Sequence, residues 1–308
     1  MPSASSRWCL IESDPAVFTE MIQTVGVKGV SVEDLMMLDA SLLQQYERVY
    51  GLVLLFKWQS AEQAAPLGTV VKDAPVFFAK QVIENACATL ALVNTLCNYA
   101  EQVDLGPKMQ QYVSFSQAMD PEMRGSLLNE FDELREAHNS FAPRAAFERE
   151  GKAPKDADAY HFVSFIYRQG HIWELDGLQD GPLQCREATD ANYCEALVEV
   201  VQRRIDDIAA KDTKGAGQGI SFSLMAIVDD PVAVLEKKIA ALKAEEKHTA
   251  VLEEELADLQ TQRRKDKEAN ARRRHDYSAM VVALLKSLAE RGKLEKIIEA
   301  VQAKATTK

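Results

Sequence analysis

The chain has 308 residues, 47% of them hydrophobic and 27% charged, with a net charge of −11. That composition is ordinary for a soluble globular protein, with room for one large domain and an appendage or for two modest domains. The acidic balance argues against wrapping nucleic acid, and no apolar run is long enough to span a bilayer, so neither partner is expected.

The N-terminus, MPSASSRWCLIESDP, lacks a basic segment followed by an apolar core. No secretory signal is expected, and the predicted location is cytoplasmic and nuclear. Five cysteines (Cys9, Cys87, Cys97, Cys185 and Cys194) form no CxxC pair and no zinc-finger spacing with histidine. An odd number in a reducing compartment predicts neither a disulfide framework nor a metal site, and no cofactor is expected.

Asp14-Pro15 introduces a short helix whose apolar face carries Val17, Phe18, Met21 and Ile22. Gly51 to Trp58 is a short apolar run that predicts a buried strand. A Pro/Gly/Ala-rich loop follows, from Ala61 to Thr69, and a buried helix begins near Ala86. Glu101 to Glu136 predicts two amphipathic helices separated at Asp120-Pro121, and Pro143 to Asp158 has the composition of a long loop. HFVSFIYRQGHIWELDGL predicts a β-hairpin, and Ser221 to Val228 a final strand.

Composition then shifts. Asp230-Pro231 supplies a helix start, and the sequence to about Gln262 is rich in Ala, Glu, Lys and Leu. Leu235, Ile239 and Leu242 are out of register with Leu252, Leu256 and Leu259, an interrupted heptad at best. The basic run RRKDKEANARRRH is interleaved with Asp266 and Glu268, which predicts a solvated face or a protein-docking surface. Two apolar-periodic sets from Tyr277 to Val301, separated at Gly292, predict two short helices.

Two local patterns carry chemistry. A two-residue hairpin loop at residues 168 and 169 puts His161 directly opposite Asp176, and a loop one pair longer or shorter leaves them diagonal neighbours on the same face. A carboxylate there fixes the imidazole tautomer and stabilises the imidazolium, although on spacing alone a solvated cross-strand charge pair is the commoner outcome. Cys87 falls at the predicted helix start, where the dipole favours the thiolate, with the amides of Gln81 and Asn85 shortly before it. An inert buried cysteine fits that spacing as well. His138 is assigned a structural role because it has no carboxylate strand partner.

The segments FFAKQVIENACAT, DAYHFVSFI and ELDGLQDGP, together with WCLIESDPAVFTEMI and the LLFKW strand, closely resemble the ubiquitin C-terminal hydrolase family. RRRHDYSAMVVALLKSLAERGKLEKII resembles the docking domain of that family's proteasome-associated member. The resemblance implies an α/β (α+β) fold: a papain-like α–β–α cysteine protease domain with a knotted backbone, followed by a helical C-terminal extension. It implies Cys87 as nucleophile, His161 as general base and acid, Asp176 as the residue orienting His161, Gln81 as oxyanion donor and Asn85 as its neighbour. It further implies that the Pro143 to Asp158 loop crosses the active site. Leu10, Glu12 and Phe222 are candidate contacts to the substrate surface, although core is the safer reading for Phe222. The implied partners are ubiquitin, a ubiquitin receptor of the proteasome cap and, in the nucleus, a chromatin-remodelling subunit. The corresponding layout is a catalytic domain over 1–228, a linker helix or coiled coil over 229–262 and a docking domain over 263–308. A scaffold that binds ubiquitin without turnover, or a hydrolase of another ubiquitin-like modifier, are the alternatives; the complete set of four site residues argues against the scaffold.

Overall fold

The computed structural model describes residues 7–57, 67–142, 160–211 and 222–306. Seven strands form one antiparallel sheet: β1 (Val30–Asp34), β2 (Val49–Lys57), β3 (Thr69–Val70), β4 (Tyr160–Arg168), β5 (His171–Leu175), β6 (Leu183–Glu187) and β7 (Phe222–Asp229). Their spatial order is β1-β7-β2-β4-β5-β6-β3. The central strands are apolar on both faces, as burial between two helical layers requires. One layer contains α1 (Pro15–Thr24), α3 (Cys87–Leu96), α4 (Gly106–Ser116) and α6 (Asp132–Asn139), whose core includes Phe18, Met21, Leu92, Leu96, Met109 and Leu134. On the opposite face α2 (Ala40–Leu43) and α7 (Tyr193–Lys211) bury Leu43, Leu197, Val200 and Val201 against Leu52, Leu54 and Phe165. This is the mixed α/β architecture with a helical C-terminal extension that the resemblance implies.

The start of α1 follows its sequence closely. Asp14 accepts from the Ala16 N–H at 2.9 Å, Pro15 occupies the first turn, and Val17, Phe18, Met21 and Ile22 are buried. Three readings need correction. The stretch after Asp120 is not one helix: α5 (Pro121–Leu127) and α6 are separated by a 3-10 turn and by Phe131, whose ψ of 78° breaks the helical path. The helix from Pro231 ends early: α8 (Pro231–Ala244) stops before Glu246, which sits at φ +56°, and α9 runs from Ala250 to Arg274. The two out-of-register leucine sets therefore lie on separate helices. The hairpin loop is Gln169-Gly170, one residue later than expected, because Arg168 pairs with His171. Both loop residues have positive φ, 51° and 75°, the type I′ turn that accommodates glycine at its second position.

The C-terminal extension is tied to the layer that contains α1 by its basic run. Arg263 pairs with Asp230, the residue that caps α8, with Nη1 2.8 Å from Oδ2. Asn270 is buried; its Nδ2 donates to the Ala16 carbonyl at 3.0 Å and to Glu20 at 2.8 Å. Arg273 pairs with Glu12 and Asp14, and Arg274 pairs with Glu20 while lying 4.7 Å from the Phe141 ring centroid. A boundary between residues 262 and 263 would thus cut α9 in the middle, on the N-terminal side of the three side chains, Asn270, Arg273 and Arg274, that hold the helical layer. Beyond it, α10 (Ser278–Glu290) and α11 (Leu294–Thr306) form a hairpin, and α10 buries none of its residues.

Candidate active site

Cys87 is the first residue of α3, as its sequence predicts, and the helix behind it is buried from Ala88 to Leu96. Helix N-terminal amides lack intrahelical partners. Here the N–H groups of Cys87 and Ala88 face the thiol, joined by the N–H of Phe162 on β4, and each favours the thiolate. Burial outweighs them and pushes the Cys87 thiol up. The direction is opposite to the depression expected from the helix start alone.

The histidine expected to act on the thiol is one residue from Phe162. His161 and Asp176 are both buried, and His161 Nε2 lies 2.7 Å from Asp176 Oδ1. The shift of the turn makes them diagonal rather than directly opposed, and parity keeps them on one face. Asp176 also accepts from the Leu178 N–H at 2.9 Å and from Gln179 at 3.4 Å. Burial opposes ionisation of this carboxyl, but the bond and charge of His161, with the Leu178 and Gln179 donors, hold it below the usual range. With Nε2 committed to a carboxylate, the ring presents Nδ1 as its open position. The Phe56 ring stands edge-on to the imidazole, with centroids 5.9 Å apart.

Gln81 reaches the site through an extended segment that sequence reading overlooked. Asn94 on α3 and Asn98 in the following 3-10 turn clamp it. Asn94 binds both backbone groups of Ala79, at 2.7 and 3.1 Å, and Asn98 both of Phe77, at 2.7 and 2.9 Å. Two asparagines four residues apart in a largely apolar stretch were the available signal. The Gln81 N–H donates to the Gly177 carbonyl at 2.8 Å. A Cβ at Gly177 would stand 3.0 Å from Gln81 Cβ and 2.6 Å from Leu90, so only glycine lets the chain after Asp176 approach this closely. Gln81 Oε1 is buried and has no hydrogen-bond partner among the described residues.

Asn85 lies just before the start of α3. Its backbone is left-handed, at φ +63°, and its Nδ2 donates to the Trp8 carbonyl at 3.1 Å. His138 is fully buried: Nδ1 lies 2.7 Å from Thr89 Oγ1 and Nε2 2.7 Å from the Cys9 carbonyl oxygen. Burial lowers its pKa, and it anchors the N-terminal strip to α3. Leu10 and Phe222 are exposed, and Glu12 is paired with Arg273. The loop assigned to Pro143–Asp158 lies outside the described residues.

A cysteine at a helix start, a histidine–aspartate pair on the neighbouring strand and a nearby amide together can perform acyl transfer. A family model for ubiquitin carboxyl-terminal hydrolase, family 1, matches residues 8–206, and a second, for ubiquitin carboxyl-terminal hydrolases, matches residues 250–294. The chain is 37% identical over 305 residues to ubiquitin carboxyl-terminal hydrolase ubh-4 of Caenorhabditis elegans, covering 96% of this chain and 91% of that one. It is 33% identical over 342 residues to ubiquitin carboxyl-terminal hydrolase isozyme L5 of Dictyostelium discoideum, covering 96% of each. The crystal structure of Trichinella spiralis UCH37 bound to ubiquitin vinyl methyl ester is similar at a TM-score of 0.68 and 29% identity, covering 84% of this chain and 99% of that one.

Proposed function

This chain belongs to the ubiquitin carboxyl-terminal hydrolases of family 1, which are cysteine proteases, and from that premise we propose that it cleaves amide or thioester bonds at the C-terminal glycine of ubiquitin while docked on the proteasome cap. The 2.7 Å His161–Asp176 bond, one residue from the amide that faces the Cys87 thiol, carries the reading.

In this scheme His161 Nδ1 takes the proton of Cys87 as the sulfur attacks the carbonyl carbon. Asp176 stays ionised and stabilises the imidazolium. The carbonyl oxygen gains negative charge and is met by the Gln81 amide and the Cys87 N–H. His161 then gives its proton to the departing amine as the carbon–nitrogen bond breaks, leaving an acyl-cysteine. Water, deprotonated by His161, attacks that thioester; ubiquitin's carboxylate leaves and the proton returns to the thiol. The net charge of −11 suits the basic tail of ubiquitin. Reaction of the full chain with ubiquitin bearing a C-terminal electrophile tests the assignment. The adduct should map to Cys87 and vanish in Cys87→Ala, and an adduct on another residue would overturn it.

Docking is assigned to the α10–α11 hairpin. Met280, Leu284, Ile297, Ile298 and Val301 are exposed there, and such a patch is the usual mark of a protein-binding face. The occupant we propose is a ubiquitin receptor of the proteasome cap, with a chromatin-remodelling subunit as its nuclear counterpart, in keeping with a cytoplasmic and nuclear location. Deletion of residues 276–308 preserves every α9 contact to the catalytic layer. It should abolish co-purification with proteasomes and leave hydrolysis of small ubiquitin adducts intact; retained co-purification would refute the docking assignment.

A further inference from the structure

The turn that carries Cys87 is bonded to the N-terminal strip on both sides of the nucleophile. Two residues before it, Asn85 Nδ2 donates to the Trp8 carbonyl at 3.1 Å. Two residues after it, Thr89 Oγ1 lies 2.7 Å from His138 Nδ1, and His138 Nε2 lies 2.7 Å from the Cys9 carbonyl oxygen. A carbonyl oxygen only accepts, so Nε2 carries the ring proton and Nδ1 accepts from the Thr89 hydroxyl. Thr89 and His138 are 1% and 0% exposed, so this link is shielded from water. The strip is braced from its other side as well: Trp8 Nε1 donates to Asn129 Oδ1 at 3.2 Å and the Cys9 N–H to Asn139 Oδ1 at 3.0 Å. Adjacent carbonyls of one braced strip thus lead to the two ends of the Cys87 turn.

Asparagine is among the best helix caps, and Asn85 stands two residues ahead of α3. Its side chain turns to Trp8 instead, on a left-handed backbone at φ +63°, and α3 starts with no side-chain cap. By contrast α1, α5 and α8 each start at an aspartate whose carboxylate takes first-turn amides. At α3 such amides are left for chemistry, because the N–H groups of Cys87 and Ala88 face the thiol.

We infer that the Trp8–Cys9 strip is a splint for the nucleophile's turn and that Asn85 is a positioning residue of the hydrolase site. By tying the turn to the strip, Asn85 keeps the Cys87 and Ala88 N–H groups aimed at the sulfur and at the oxyanion that forms beside it. The Thr89–His138–Cys9 link holds the other end. This rests on Cys87 being the nucleophile. Asn85 acts through the backbone it holds. The net contribution of one neutral hydrogen bond corresponds to a factor of roughly two to ten in the population of the productive turn.

Asn85→Gly removes the bond and still accepts a left-handed backbone, so it adds no strain. In the full chain its kcat on a ubiquitin C-terminal amide should fall by roughly two- to tenfold, with ubiquitin affinity preserved. The pH midpoint of Cys87 alkylation by iodoacetamide, followed by peptide mass mapping, should rise by about 0.3–1 unit, because amides that drift from the sulfur stabilise the thiolate less. A residue that only supports the fold would lower Tm and leave that midpoint in place. A smaller rise, or a kcat loss matched by an equal loss of ubiquitin affinity, overturns the proposal. If Asn85→Gly does not fold, Thr89→Val carries the test: it keeps the shape of the side chain and cuts the link to His138. It should move kcat and the midpoint in the same directions, and unmoved values again overturn the proposal. Turnover retained in Cys87→Ala defeats the nucleophile reading itself, whatever Asn85→Gly does.

Discussion

Asn270→Ala should undock α9 from the catalytic layer without unfolding either. The side chain makes three bonds: 3.0 Å to the Ala16 carbonyl, 2.8 Å to Glu20 and 2.7 Å from Arg273 Nη1 to its Oδ1. A neutral bond contributes about 0.5–1.5 kcal/mol net and one to a charged group about 1.5–3. Glu20 keeps Arg274, and Arg273 keeps Glu12 and Asp14, so the ionic partners are not orphaned and the low end of that range applies. The loss is then about 3.5 kcal/mol, which is roughly three-hundredfold in the docking equilibrium. Hydrogen exchange of α9 amides, which reads the population of the open form, should accelerate by about that factor, while α3 keeps its protection. Exchange in α9 within about threefold of the parent would refute the reasoning, because it would mean the three bonds carry almost none of the docking energy.

Three further outcomes follow from the site. Gln81→Ala should lower kcat by about a hundredfold to a thousandfold, with ubiquitin affinity preserved, as loss of an oxyanion donor does; stopped-flow turnover with a separate titration of binding checks it. Asp176→Asn should lower turnover by orders of magnitude with binding nearly intact, and equal losses of both would indicate misfolding instead. Because the folded pKa of Asp176 is depressed, its contribution to stability is present above the unfolded value of about 3.9 and disappears as pH falls through the folded value. Urea melts of the parent and Asp176→Asn should therefore converge on acidification below about pH 4.

Much of this site was legible because its key relationships are local or periodic. The parity of a β-strand placed His161 and Asp176 on one face even though the turn falls one residue later than expected. Gln169 disguised the turn: type I′ needs positive φ at both central residues, and only Gly170 advertises it. The position of Cys87 at a helix start was readable, but its thiol pKa was not, since burial depends on strands and loops far away in sequence. The bond from Asn85 to the Trp8 carbonyl, 77 residues upstream, was not readable for the same reason. The basic run of α9 was recognisable as a docking surface, yet nothing local identified its partner as acidic side chains at the opposite end of the chain. The helix α7 was missed altogether, and with it Arg204, the counterion of Glu174.

That last kind of contact also sets the order in which the molecule can be completed as it is made. The bonds from α9 to Ala16, Asp14 and Glu12 span 254, 259 and 261 residues. At translation rates of about 5–20 residues per second, the first strip of polypeptide waits roughly 13–50 s for the helix that secures it. Throughout that interval Glu12, Asp14 and Glu20 lack their arginines, while the strip already carries Trp8, Val17, Phe18 and Met21. Nascent chains of this protein should accordingly recruit holding chaperones to their N-terminal segment until α9 has left the ribosome, and ribosome-bound chains arrested before residue 270 should be more protease-sensitive at α1 than those arrested well beyond it.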